Sequence, residues 1–235
     1  VGGTILMFIG AVDDKMDISA KLRLLVQIGC AFLAVQSGIV IEGIGIPFSP
    51  GYISLGIFSI PLSMLWIVTV TNVMNFIDGL DGLASGTAAI AAVSLMIVAW
   101  RMNYIDVVVM AVALAGACMG FLFYNFHPAK IFMGDAGALF IGFVLACLSI
   151  KGPMKSATFA TMLVPVLALG LPLFDTMVVF FQRIRAGKSP MKADRQHIHH
   201  ILYDNGLTQR QTVLWLYAIS TCLGLAAVED RKSVV

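Results

Sequence analysis

The segment NFIDGLD, residues 75–81, places Asn75, Asp78 and Asp81 at i, i+3 and i+6 between two long apolar runs. At a helix end this spacing aligns the three on one stripe. Gly79 and Gly82 let backbone or ligand come close. Carboxylates and an Asn carbonyl are oxygen donors suited to a hard divalent cation. Polar helix caps are the plainer reading, but three aligned groups exceed what capping needs.

A second acidic segment, DDKMD (13–17), puts Asp13 and Asp17 at i, i+4 and Asp14 and Asp17 at i, i+3 on a helical turn, so the acids share a face. Clustered carboxylates repel unless a cation lies among them. Mg²⁺ is the natural one where phosphate is also present, because it keeps its waters and uses only one or two carboxylates. A solvated loop capping the next helix is the alternative. FHPAKIFMGDAGALF (126–140) holds Asp135 directly before an apolar helix, a common N-cap arrangement. Gly134, Gly137 and Phe132 beside it resemble a ligand wall. Phe132 could stack on a base, although such an aromatic in a membrane protein more often serves core or interface.

KSPMKADRQHIHHIL (188–202) sets His197 and His200 at i, i+3 with His199 between them, after Lys192 and Arg195. A cationic, hydrogen-bonding loop of this kind suits phosphate oxygens. A zinc site is the other functional reading, disfavoured by the basic company and the lack of a nearby Cys. A basic loop serving only topology leaves three His in four residues unaccounted for.

A very apolar chain must position these clusters. Of 235 residues, 59% are hydrophobic and 12% charged, and the mean hydropathy is +0.93. Those values exclude an ordinary soluble domain, and the apolar runs are long enough to cross a bilayer. The pattern predicts helices over 1–12 (the latter half of a span), 22–40, 55–74, 83–100, 105–123, 136–150, 157–181 and 212–228. The Gly- and Pro-rich stretch between the second and third predicts a turn-rich connection with room for a short hairpin. The expected fold is all-α: a polytopic transmembrane helix bundle with the active site in cytoplasmic loops. It forms one domain over 1–228, with about seven full spans and one partial, followed by a polar tail at 229–235 that fits no earlier pattern. The four Cys lie inside apolar runs and read as small core residues, neither disulfide-bonded nor zinc-binding.

Alternating the sides of the bilayer puts ten of the fifteen Lys and Arg on one face, which the positive-inside rule makes cytoplasmic. Most of the acids and all four His fall on that face. Ionisable groups at membrane depth are costly and usually mark a site. Carboxylates for a divalent metal, donors for phosphates and a membrane face together make the apparatus of phosphoryl-type transfer. A lipid would be the acceptor or product.

These residues give the chain a resemblance to the polyprenyl-phosphate N-acetylhexosamine-1-phosphate transferase family, nearest to its bacterial undecaprenyl-phosphate GlcNAc-1-phosphate branch. The likeness runs from Asp13 to about Leu202. It rests on VDDKMDISAKLRLLVQ, TNVMNFIDGLDGLASG, FHPAKIFMGDAGALFIG, PLFDTMVVFFQRIRAGKSP and DRQHIHHIL, in order and at family-like spacing. The His-Ile-His-His form points to the HexNAc branch over the phospho-MurNAc-pentapeptide branch. The resemblance implies that UDP-HexNAc and undecaprenyl phosphate give undecaprenyl-diphospho-HexNAc and UMP. Mg²⁺ would be the cofactor, with Mn²⁺ as its substitute. By the same likeness Asn75 and Asp135 would be metal ligands, and Asp13 and Asp14 the acids near the lipid phosphate. Asp78, counted with them as catalytic, and Asp81 would face the nucleotide. Phe132 would stack on uracil. Arg195, His197, His199 and His200 would hold the diphosphate or sugar, and Lys21 would balance the first acids. The implied partners are UDP-N-acetylhexosamine, undecaprenyl phosphate and membrane lipid, without nucleic acid and with a homodimer among the allowed assemblies. The implied location is the bacterial inner membrane, with the site on its cytoplasmic face. Family members carry one or two further helices before the position of Val1.

A lipid phosphate with a second pKa near ~6 is already largely ionised at neutral pH. Asp13 or Asp14 is therefore expected to position more than to abstract a proton, in a direct displacement; a covalent aspartyl intermediate is the other route. An intramembrane prenyltransferase also fits DDKMD but needs a second such motif and leaves the His cluster unexplained. A cation-coupled transporter would place its acids near mid-membrane, between broken helices.

Overall fold

The computed structural model describes residues 1–46, 52–156, 165–185, 202 and 206–229. It is an all-α helix bundle, as expected. The described helices are α1 (Gly2–Met16), α2 (Ala20–Gln36), α3 (Ser59–Phe76), α4 (Leu83–Arg101), α5 (Ile105–Asn125), α6 (Gly134–Lys151), α7 (Gly170–Arg185) and α8 (Gln209–Glu229). Among the described residues, four stretches are long and apolar enough to cross a membrane: Gly56–Phe76, Leu83–Arg101, Ile105–Asn125 and Gly134–Lys151. The loop after α2 does contain a hairpin. Gly43–Gly45 pairs antiparallel with Tyr52–Ser54, Ile44 opposite Ile53.

Large apolar side chains such as Leu6, Leu95 and Leu139 share the centre with small ones: Ala84, Ala88, Ala91 and Ala92 on α4 are fully buried. Other large apolar side chains such as Phe8, Leu25, Leu65, Val109 and Phe123 point outward. This is the distribution a bilayer permits, since lipid solvates large apolar groups and helix contact is driven by close packing of small ones. α6 lies at the centre, packed on α1 and on α3, while α4 packs on α5 and α8.

Two glycines set the contacts that matter for the site. A Cβ on Gly10 of α1 would stand 2.5 Å from backbone atoms of Asp135 and Ala136, so α1 crosses the start of α6 at backbone distance. A Cβ on Gly142 of α6 would meet the Thr71 Cα at 2.8 Å, so α6 crosses α3 as closely. The bundle ends are chemically distinct. One joins the end of α1 to the starts of α2 and α6, with the α3–α4 turn. The other carries the Lys151–Asp106 ion pair at 2.6 Å and a bond from Arg101 Nη1 to the Val228 carbonyl at 2.7 Å.

Three boundaries that bear on the site differ from expectation. α1 continues through Met16, so Asp13 and Asp14 belong to its last turn, and Asp17 is its left-handed C-cap with φ 51°. α3 stops at Phe76, so Asn75, Asp78 and Asp81 do not share one helical stripe; the chain turns before Asp78. α6 starts at Gly134, placing Asp135 inside its first turn and Met133 at the N-cap. The last has a tertiary companion: Asp14 of α1 accepts from the Asp135 and Ala136 N–H groups of that first turn.

Candidate functional site

Asp14 reaches across from α1, and its Oδ1 accepts from the Asp135 N–H at 2.8 Å while Oδ2 accepts from Ala136 N–H at 3.3 Å. A carboxylate over the first turn of a helix meets the unpaired amides and the positive end of the dipole. Gly134, in a left-handed conformation with φ 63°, clears the space, for a Cβ there would stand 2.6 Å from Asp14 Oδ2.

Asp135 then faces two donors. Asn75 Nδ2 donates to its Oδ1 at 2.7 Å, and Arg23 Nη1 donates to its Oδ2 at 2.5 Å. Because the Asn75 amide nitrogen is spent on Asp135, its carbonyl oxygen is the acceptor that remains. Asp13 is largely enclosed, its side chain 6% exposed. Its Oδ1 accepts from Ile18 N–H at 2.7 Å and its Oδ2 from Arg23 Nη1 at 2.8 Å.

Asp78 sits in the turn after α3, partly buried. Burial first, then the negative charges of Asp135 and Asp14, push its pKa up to about 7, against a weaker pull from the Gly134 amide. Such a carboxylate keeps its proton in the fold at pH values where the unfolded chain has lost it. The fold therefore binds more protons between about pH 4 and pH 7, and stability falls as pH rises through that window. In EDTA-treated protein, the thermal midpoint is expected to decline over this range through Asp78. Asp78→Asn should flatten that part of the profile; an unchanged slope would show that other groups cause it.

Asp81 belongs to a separate arrangement. Its Oδ2 pairs with His127 Nδ1 at 2.8 Å and accepts from Ala129 N–H at 3.1 Å. Gly82, next in the chain, is held from both sides. Its N–H donates to Asn125 Oδ1 at 3.0 Å, and its carbonyl accepts from the Tyr217 hydroxyl. The buried Asn125 also donates through Nδ2 to the Ile131 carbonyl at 2.9 Å. It thus ties the NFIDGLDG turn to the FHPAKIF loop, and α8 locks both. Phe132, 77% exposed, stands on the outer face of that loop. Lys21 is exposed on the first turn of α2. Arg195, His197, His199 and His200 lie outside the described residues, as does the tail from residue 230.

The structure therefore brings Asp13, Asp14, Asn75 and Asp135 into one bonded network beside Asp78, and directs Asp81 to His127. The motif reading passed over Arg23, His127 and Asn125. Arg23 had left a signal: a cation in the first turn of a helix opposes the helix dipole, so it needs an acid from elsewhere.

The donor set can be weighed against a metal. Asn75 carbonyl, Asp14, Asp78 and Asp135 offer only hard oxygens. Among the described residues no three His, Cys, Asp or Glu converge as a ready-made cage. Zinc sites are built mainly on Cys and His, with a carboxylate at most as a further ligand. Mg²⁺ takes one or two carboxylates and completes its shell with waters and substrate phosphates, which is what these residues fit.

The family model for glycosyl transferase family 4 matches residues 1–153. A "probable undecaprenyl-phosphate N-acetylglucosaminyl 1-phosphate transferase" of Bacillus subtilis (strain 168) is 40% identical over 236 residues, 100% of this chain and 66% of that protein. A "decaprenyl-phosphate N-acetylglucosaminephosphotransferase" of Mycolicibacterium smegmatis is 37% identical, covering 92% of this chain and 59% of the relative. An "undecaprenyl-phosphate alpha-N-acetylglucosaminyl 1-phosphate transferase" of Salmonella typhi is 30% identical, covering 98% and 65%. The chain thus spans somewhat under two thirds of the length of the relatives it matches.

Proposed function

The chain belongs to glycosyl transferase family 4, and on that premise we propose that it transfers HexNAc-1-phosphate, GlcNAc-1-phosphate first among them, from UDP-HexNAc to undecaprenyl phosphate. The products are undecaprenyl-diphospho-HexNAc and UMP. An oxygen of the lipid phosphate attacks the sugar-linked phosphorus, and the bond from that phosphorus to the bridging oxygen of the uridylyl phosphate breaks. The observation that carries this reading is the convergence of Asp14, Asn75, Asp78 and Asp135 in one oxygen-rich cluster at one end of a membrane bundle.

Asn75, through Oδ1, and Asp135 would hold the Mg²⁺. The ion supplies charge neutralisation on the diphosphate and a template for in-line attack. Asp14 orients Asp135 by capping α6, and Asp78 adds negative charge that the bound cation neutralises. The Asp81–His127 pair shapes the wall next to Phe132, which is exposed enough to stack on uracil. Arg195, His197, His199 and His200 supply phosphate donors, and Lys21 a cation near the acceptor. The site faces the cytoplasm of the bacterial inner membrane, a reading that the Lys and Arg asymmetry supports for its orientation.

The test gives radiolabelled UDP-GlcNAc and undecaprenyl phosphate to membranes holding the protein, with and without Mg²⁺. Label is expected in the lipid phase, with UMP released in equal amount, only when metal is present. Label that stays in water, or moves equally well in EDTA, would sink the reading.

A further inference from the structure

The first motif contains Arg23 but assigns it no role, yet two acidic segments meet on it. A single nitrogen, Nη1, donates to Asp13 Oδ2 at 2.8 Å and to Asp135 Oδ2 at 2.5 Å. The acids come from α1 and α6 and the arginine from the first turn of α2. Its side chain is 21% exposed and opposes the dipole of its own helix. Such a placement is unfavourable unless the two carboxylates hold it. For Asp135 the consequence is orientation. With Oδ1 tied to Asn75 and Oδ2 tied to Arg23, both side-chain torsions are set. Asp13 is anchored from behind by the Ile18 amide, so the clamp has a rigid base.

We propose that Arg23 is a positioning residue of the transfer site. From α2 it clamps Asp135 in the orientation from which Asp135 and Asn75 face a divalent cation, and its fixed charge tempers how tightly that cation binds. This rests on the reading of the chain as a metal-assisted HexNAc-1-phosphate transferase. The two effects oppose each other on substitution. Removing the guanidinium frees Asp135 to turn, which slows transfer. It also removes a positive charge beside the cation, which strengthens metal binding. A loss of general structure would weaken both together.

Arg23→Gln, Arg23→Lys and Arg23→Ala are compared with wild type in detergent by two readouts. One is the Mg²⁺ concentration that half-saturates thermal stabilisation without substrate. The other is kcat for transfer. For Arg23→Gln the half-saturating Mg²⁺ is expected to fall about fivefold through the lost repulsion, while kcat falls about 100-fold through misplacement. Arg23→Lys keeps the charge and should hold its Mg²⁺ requirement within about twofold while recovering part of kcat. Millimolar guanidinium ion, but not equal urea, should partly restore Arg23→Ala. Wild-type kcat in Arg23→Gln overturns the proposal. So does weaker metal binding together with lost kcat that neither lysine nor guanidinium restores. If the wild-type protein transfers nothing, the assigned reaction falls, and the Mg²⁺ titration of Arg23→Gln still decides the role of Arg23: unshifted or weaker binding overturns it.

Discussion

Asp135→Asn is expected to lower HexNAc-1-phosphate transfer by at least about 10²–10³-fold, the range seen when one preorganised electrostatic contact to a transition state is removed, with the protein still folded in the membrane. The substitution keeps the shape of the side chain. Its carbonyl oxygen can still accept from Asn75, so the α3–α6 contact survives. What disappears is the charge at the centre of the oxygen cluster. Among the described residues Arg23 then keeps only Asp13 as a counter-ion, and the proposed Mg²⁺ would lose its charged ligand. Asp78 changes as well, because the charge of Asp135 is, after burial, the leading cause of its raised pKa. Its titration should move down toward that of an ordinary carboxylate. Transfer rates across a Mg²⁺ series, paired with a melting curve, check this. Near-normal transfer at every Mg²⁺ concentration would remove Asp135 from the proposed metal site.

The second large effect is steric. Gly10→Val should separate α1 from α6 and abolish transfer without touching any polar group of the site. Overpacking a well-filled core costs roughly 1–3 kcal/mol, occasionally more. Here the obstacle is the backbone of Asp135 and Ala136 at 2.5 Å, which no rotamer change relieves. The helices must part, and when they do, Asp14 leaves the amides it caps. A drop of several degrees in the thermal midpoint should accompany the lost activity. Gly29→Val on α2 is the matched control, since nothing lies within 4 Å of a Cβ there. Equal behaviour of the two variants in melting and transfer would refute the close α1–α6 crossing as the device that assembles the site.

Much of this was legible in the sequence because a bilayer simplifies the problem. Every backbone group inside lipid must bond within its own segment, so long apolar runs become helices and little else. The spans over 83–100 and 105–123 accordingly match α4 and α5 to within one or two residues. Parity along those spans brought Asp13, Asp14, Asn75, Asp78 and Asp135 to one face, and these five are the acids and amide that gather there. The ends of helices were less legible. α1 runs on through Met16 and α3 stops before Asp78, because helix ends depend on which partner satisfies the last amides and carbonyls.

The sequence by itself determined the class of structure, the polarity of the two bundle ends and the residue types available for chemistry, since hydropathy, charge asymmetry and motif spacing are local properties of the chain. Only the tertiary structure decided who pairs with whom. Asp14 caps a helix 120 residues later, Asp81 turns to His127, and Arg23 joins Asp13 to Asp135. Those choices follow from where α1, α2, α3 and α6 cross, and the crossings are set by glycines whose contacts lie far away in sequence.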